Sequence, residues 1–179
     1  MTIGHKRVRP AAGSVGLKKH VVSMAAAAGA AAVLAGVAAA TPGSNAVATV
    51  VARAGFADPV DIKLKLRDEH EVIHARQAGD TVVQQIVVGP GGDTGWHSHH
   101  GPAIALVKAG ELTIYASDDP TCTGRTYGAG QAFVDSGQGH VHIAKNLAGQ
   151  DTEVWVTYLD VPPGETVRID APGSDHCAF

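Results

Sequence analysis

Aromatic residues are scarce. Phe, Trp and Tyr together make up 4% of the 179 residues, which argues against a large cofactor cleft lined by Trp or Tyr. Charge is also sparse, with 17% charged residues and a formal net charge of −3. Nucleic-acid phosphates call for a basic patch, so no nucleic-acid partner is expected. Neither Gly91-Gly92-Asp93 nor Gly128–Gly130 carries the Lys and following helix of a phosphate loop. Ser98 and Ser136 sit near histidines, but no nucleophile-elbow pattern surrounds either. Long stretches of 3.6-residue periodicity and solenoid-length repeats are absent as well. Histidine, in contrast, is abundant, with 10 copies.

The basic residues are unevenly spread. Lys6, Arg7, Arg9, Lys18 and Lys19 precede an apolar run from Val21 to Ala40 that contains no acid. A basic start, an apolar stretch and then small residues form the pattern of a secretory signal peptide. Ala38-Ala39-Ala40 offers a cleavage site, and sites near Ala46 or Ala48 are alternatives. The same run spans roughly the ~20 residues of a membrane helix, so an uncleaved anchor is the competing expectation. Both readings place the folded part outside the cytoplasm. Residues 1–40 are thus expected to be a signal peptide or anchor, 41–57 a small-residue linker, and 58–179 the folded domain. In an exported chain the even pair Cys122 and Cys177 reads as a disulfide.

From Asp61 onward the chain alternates short apolar or β-branched runs with Gly/Pro turns. Ile62–Leu66, Thr81–Val88, Ala132–Val134, Val141–Ala144, Glu153–Leu159 and Thr166–Ile169 read as strands. Ala103–Lys108 and Glu111–Ala116 flank Ala109-Gly110, which suggests a hairpin. The fold class is therefore all-β, a sandwich or barrel.

Five histidines fall into two groups, His97, His99 and His100, and His140 and His142. In an extended segment residues i and i+2 share a face. His97 and His99 would present two imidazoles side by side, and the strand carrying His140 and His142 would supply a third nitrogen. Such a set suits Fe, Mn, Zn, Ni or Cu. His140 shares the parity of His142 and is a candidate fourth ligand, orienting residue or general base. His100 has the opposite parity and is expected in a surface or loop role. Trp96, Trp155 and Tyr158 are expected to be packing residues.

These residues resemble the two motifs of the cupin superfamily. Pro90-Gly91-Gly92, His97, His99 and Gly110 match the first, and Gly139, His142 and Asn146 match the end of the second. The likeness covers about Asp61 to Ile169. It implies a cupin-type jelly-roll β-barrel with its site inside. It also implies a divalent metal on His97, His99 and His142. The sequence departs from the pattern at two places. Gly137 stands where the second motif carries proline. Ala103 stands where the family carries a metal-ligating Glu, so the ligand set is reduced to three histidines. Glu111 and Asp135 are substitute carboxylates if the register differs. Three function classes follow: a metal- and small-molecule-binding barrel, an Fe(II) dioxygenase-like enzyme, or a metal-free ligand-binding barrel. A homodimer is plausible in this superfamily, and no membrane contact is expected beyond the leader.

Overall fold

The computed structural model describes residues 41–66 and 71–179. The expected leader, residues 1–40, lies outside the described residues. Among the described residues there is no helix, and no helix long and apolar enough to cross a membrane. Twelve strands are present. They are β1 (Ser44–Ala54), β2 (Ile62–Leu66), β3 (Glu71–Ala75), β4 (Asp80–Asp93), β5 (His97–Ser98) and β6 (Ala103–Ala109). The chain continues with β7 (Glu111–Ala116), β8 (Arg125–Gly128), β9 (Ala132–Asp135), β10 (His142–Lys145), β11 (Thr152–Val161) and β12 (Ile169–Asp170).

Two layers form the barrel. One runs β1-β4-β11-β6-β9 and the other β12-β5-β10-β7-β8, with every pairing antiparallel. They join where Lys145 of β10 pairs with Asp93 at the end of β4. A separate ribbon pairs β2 with β3. This is the all-β barrel expected from the turn spacing. Its core lies between the layers, where alternate residues such as Val82, Val88, Ala105, Val107, Leu112, Val154 and Val156 are buried. A second cluster, Trp96, Ile143, Ala171 and Cys177, packs separately. Ile143 alternates with the inward His142 and Ala144, so it points the other way.

Two expectations are corrected. Residues 44–54, expected within the linker, form β1 and pair along β4 from Thr81 to Val88. Small-residue composition masked the β-branched Val47, Thr49, Val50 and Val51, which suit an extended edge strand. The barrel thus begins near Ser44 rather than at residue 58. Nor do β6 and β7 form a hairpin. β6 pairs with β11 and β9, while β7 pairs with β10 and β8. Gly110, at φ +72°, carries the chain from one layer to the other, and a Cβ there would lie 2.7 Å from the Asp151 carbonyl oxygen. A Gly between two apolar runs signals a turn equally well for either connection.

Cys122 and Cys177 form a disulfide spanning 55 residues. It ties the C-terminal tail to the loop after β7. Phe179 stacks on Trp96 and meets Tyr115 edge-on, with the Lys145 ammonium over its ring. Trp96 therefore has the packing role expected of it. A disulfide is the mark of an oxidising compartment.

Candidate metal centre

The site begins with strand register. His97 of β5 pairs directly with His142 of β10, and residues opposite each other across a ladder project to the same face. His99 follows two residues after His97 on the same face. All three imidazoles are buried, at 5–6% exposure, and their ring centroids lie 4.5, 4.9 and 5.2 Å apart. One ligand nitrogen from each falls within 4.8 Å of the others.

Hydrogen bonds orient two of these rings. His97 Nδ1–H donates to the Gly95 carbonyl at 2.8 Å, and His99 Nδ1–H donates to the Val167 carbonyl at 2.7 Å. A carbonyl oxygen only accepts, so both rings carry their proton on Nδ1 and leave Nε2 as a free lone pair. The Val167 carbonyl lies just before β12, whose Ile169 pairs with Ser98. His142 Nδ1 lies 3.4 Å from both the His140 carbonyl and Asp135 Oδ1.

Burial keeps the cluster neutral. His97 is pushed down to about 2 by desolvation, then by the neighbouring His142 and His99. His142 falls to about 4, again through burial, although Asp135 pulls it upward. His99 is lowered for the same first reason, with its carbonyl partner opposing the shift. Burial alone would raise Asp135, but the hydrogen bond from His140 and the charges of His142 and His99 together hold it below the usual carboxylate range. The residues therefore fit a divalent cation, because neutral imidazole is the form that ligates.

Asp135 is the candidate that sequence reasoning placed least well. It pairs with Ala103 across β6 and β9, so it enters the barrel directly beside the position that lacks a carboxylate. It does not join the three-histidine group. Instead it stands behind His142, accepts from His140 Nδ1 at 2.8 Å, and accepts from the Gly137 backbone N–H at 3.1 Å. Asp135, His140 and His142 form a second close donor group. His140 itself sits in the turn before β10 and is partly exposed, outside the three-histidine group. Glu111, the other candidate carboxylate, is exposed and stays out of both groups. His100 is half-buried in a loop beside His99.

Apolar side chains surround the cluster. Ile86, Val88, Ala105, Leu112, Phe133 and Val156 line a small cavity of about 50 Å³ together with the three histidines. Ala103 and Ala105 face it, as strand parity predicts. Tyr158 joins them, packing on His99 with centroids 4.9 Å apart, and its hydroxyl pKa is raised by burial and by Asp135. Two wider openings flank the cluster. One, of about 250 Å³, passes β1 and Arg168, and the other, of about 590 Å³, passes His140 and Arg125. Asn146, the last of the three residues that match the end of the second motif, is fully buried. Its amide donates to the Val88 and Gln150 carbonyls and its oxygen accepts from Ala148 N–H, which fixes the end of β10.

Fold and site together define a small all-β barrel with three convergent, neutral imidazoles in its interior. No known family model matches the chain, and no curated protein matches it. Solved structures similar to it include cupin-domain proteins. A cupin domain from Bordetella pertussis Tohama I is 18% identical over 66% of this chain and 94% of that one, with a TM-score of 0.43. The polyketide cyclase RemF from Streptomyces resistomycificus is 21% identical over 54% of this chain, with a TM-score of 0.43. The alignment spans 63% of that cyclase. An oxalate decarboxylase of Bacillus subtilis with Mn(II) centres is 15% identical over 50% of this chain and 23% of that one, at a TM-score of 0.41. The functional reading therefore rests on the site's own geometry.

Proposed function

We propose that this exported barrel binds one divalent metal ion through His97, His99 and His142, and holds a small molecule beside it. The supporting observation is the fixed tautomer of His97 and His99. Both Nδ1 protons are committed to backbone carbonyls, which leaves the Nε2 atoms for a shared ion. Three protein ligands leave positions open, as in catalytic rather than closed structural sites. Such an ion supplies Lewis acidity and a place for a chelating ligand or O₂. The chain's own contribution is to hold the ligands neutral, exclude bulk water with the apolar lining, and steady His142 through Asp135. Export is supported by the disulfide between Cys122 and Cys177. A dioxygenase-like reaction on Fe(II) is the second reading, favoured by the largely apolar cavity that the cluster shares.

Metal analysis of the full chain, purified without chelator or affinity tag, tests the proposal. One equivalent of Fe(II), Mn(II), Co(II), Ni(II), Zn(II) or Cu(II) is expected, either retained or taken up on incubation. His97→Ala and His142→Ala should each lose it. A wild type that neither carries nor gains metal refutes the reading. Oxygen uptake by the Fe(II)-loaded chain with diketones or thiols then separates enzyme from binder.

A further inference from the structure

The outer side of the layer that carries His97 and His142 is covered by the end of the chain. Residues 171–179 follow β12 and add no strand of their own. Ala171 N–H donates to the Trp96 carbonyl, Ser174 Oγ donates to the Ser117 carbonyl, and the Phe179 ring meets Trp96 and Tyr115. Ala171 and Cys177 pack with Trp96 and Ile143 in the second apolar cluster. Ile143 and Tyr115 are direct partners across β10 and β7, so the segment lies over both strands.

The residues gripped by this segment are the chain neighbours of two imidazoles. Trp96 precedes His97, and Ile143 follows His142. Neighbours on an extended strand face opposite sides, so a side chain pinned outside fixes the one aimed inside. Trp96 is held at its backbone as well, since its N–H donates to Thr41 Oγ1 and its carbonyl accepts from Ala171. His97 and His142 pair with each other, so the same outer contacts steady both.

The grip depends on one covalent bond. Of residues 171–179 only Ala171 and Cys177 are buried, and Phe179 is 58% exposed. A segment with so few buried contacts opens readily on its own. The Cys122–Cys177 bond keeps it closed. Cys122 sits in a loop shaped by Asp119, whose carboxylate accepts from the Thr121 and Thr123 N–H groups. Thr121 and Thr123 are exposed and Cys122 is half-buried, so the bond lies near the surface, where an external thiol arrives.

We propose that residues 171–179 form a disulfide-locked strap that positions His97 and His142 for the metal ion, with Trp96 as the positioning residue, and that thiol–disulfide exchange at Cys122–Cys177 opens it. The reductant is a dithiol. One of its thiolates attacks a sulfur of the bond and forms a mixed disulfide, while the other Cys leaves as a thiolate and takes up a proton. The second thiol then displaces the remaining Cys. The dithiol ends as its own disulfide, and its two electrons reach Cys122 and Cys177. Opening the strap lowers metal affinity. By linkage, a bound ion makes the strap harder to open by the same factor. This inference rests on the metal reading above.

The test measures the Co(II) affinity of the full chain by competition titration. The double variant Cys122→Ser, Cys177→Ser should bind Co(II) about 10- to 100-fold more weakly than the wild type, the range for losing groups that orient ligands. Wild type reduced with dithiothreitol, alkylated with iodoacetamide and freed of both reagents should match it. Phe179→Ala, which keeps the bond, should weaken Co(II) by about 2- to 10-fold, the worth of one aromatic contact, and Phe179→Tyr should restore it. Deuterium exchange of the metal-free chain gives a second readout. Without the bond, residues 95–98 and 142–144 should lose protection while residues 152–158 keep theirs. A folded double variant whose Co(II) affinity lies within about twofold of the wild type overturns the strap. So does unchanged protection at residues 95–98 and 142–144. If the double variant fails to fold, Phe179→Ala decides, and an affinity equal to that of the wild type overturns the strap. Each of these results leaves the metal reading standing. A wild type that takes up no Co(II) overturns the metal reading, and this inference with it.

Discussion

Mild acid should destabilise the metal-free barrel, and the effect can be sized from the three buried imidazoles. In the unfolded chain His97 and His142 titrate at the ordinary value of 6.5, whereas in the folded chain they are held at about 2 and about 4. Below pH 6.5 the unfolded state therefore binds protons that the folded state refuses. Stability then rises with pH and is lost as pH falls. One pKa unit corresponds to 1.36 kcal/mol, so at pH 5 each of the two residues costs about 2 kcal/mol, or about 4 kcal/mol together. His99, shifted in the same direction, adds to the loss. Asp135 does not offset it in this window. Its depressed pKa gives stability that is intact above the unfolded carboxylate value and is lost only in stronger acid. Single domains are stable by about 5–15 kcal/mol, so the loss is a large share of the total. Equilibrium urea unfolding at pH 7, 6 and 5, with chelator present and the disulfide intact, measures it directly. His97→Gln should flatten the slope by removing one contributor. Metal affinity of the folded chain should be nearly constant from pH 7 to 5, because its ligands are already deprotonated. An unfolding free energy that changes by less than about 1 kcal/mol between pH 7 and 5 would falsify this account of the cluster.

Asp135→Asn keeps the shape but removes the charge behind His142, so metal affinity should drop by about 10- to 100-fold; unchanged affinity in a competition titration rules out the orienting role. Replacing both Cys122 and Cys177 by Ser frees a 55-residue loop, for which chain entropy predicts a loss of about 4 kcal/mol. Denaturation midpoints that match with and without the bond would contradict that. Gly137 has φ +64°, and a Cβ there would lie 1.9 Å from the Gly101 carbonyl oxygen. Gly137→Ala should therefore cost about 3 kcal/mol or more and displace Asp135, whose carboxylate accepts the Gly137 N–H. A thermal melt like that of the wild type would show that this loop relaxes instead.

Local pattern carried most of the site and some of the fold. Parity alone put His97 and His99 on one face, because a strand alternates whatever its partners are. Pairing was another matter. Nothing in Ala109-Gly110 says whether the next strand returns beside the last or crosses to the other layer. β1 was hidden for a different reason. Its Val47, Val50 and Val51 stay exposed, at 51–67%, so the strand lacks the buried alternation that reveals inner strands.

The absence of a carboxylate at position 103, where the resembled pattern carries Glu, looks different once register is known. Ala103 and Asp135 face each other across β6 and β9, so a carboxylate on either one enters the same interior. The two positions are not equivalent in reach. Asp135 meets His142 at Nδ1, the ring edge remote from the shared lone pairs. It can therefore steady a ligand and raise its basicity without coordinating an ion itself. A Glu ligand would cancel part of a divalent ion's charge and occupy one of its positions. With the acid behind His142 instead, an ion at the cluster would keep its full charge toward the openings and have one more position free.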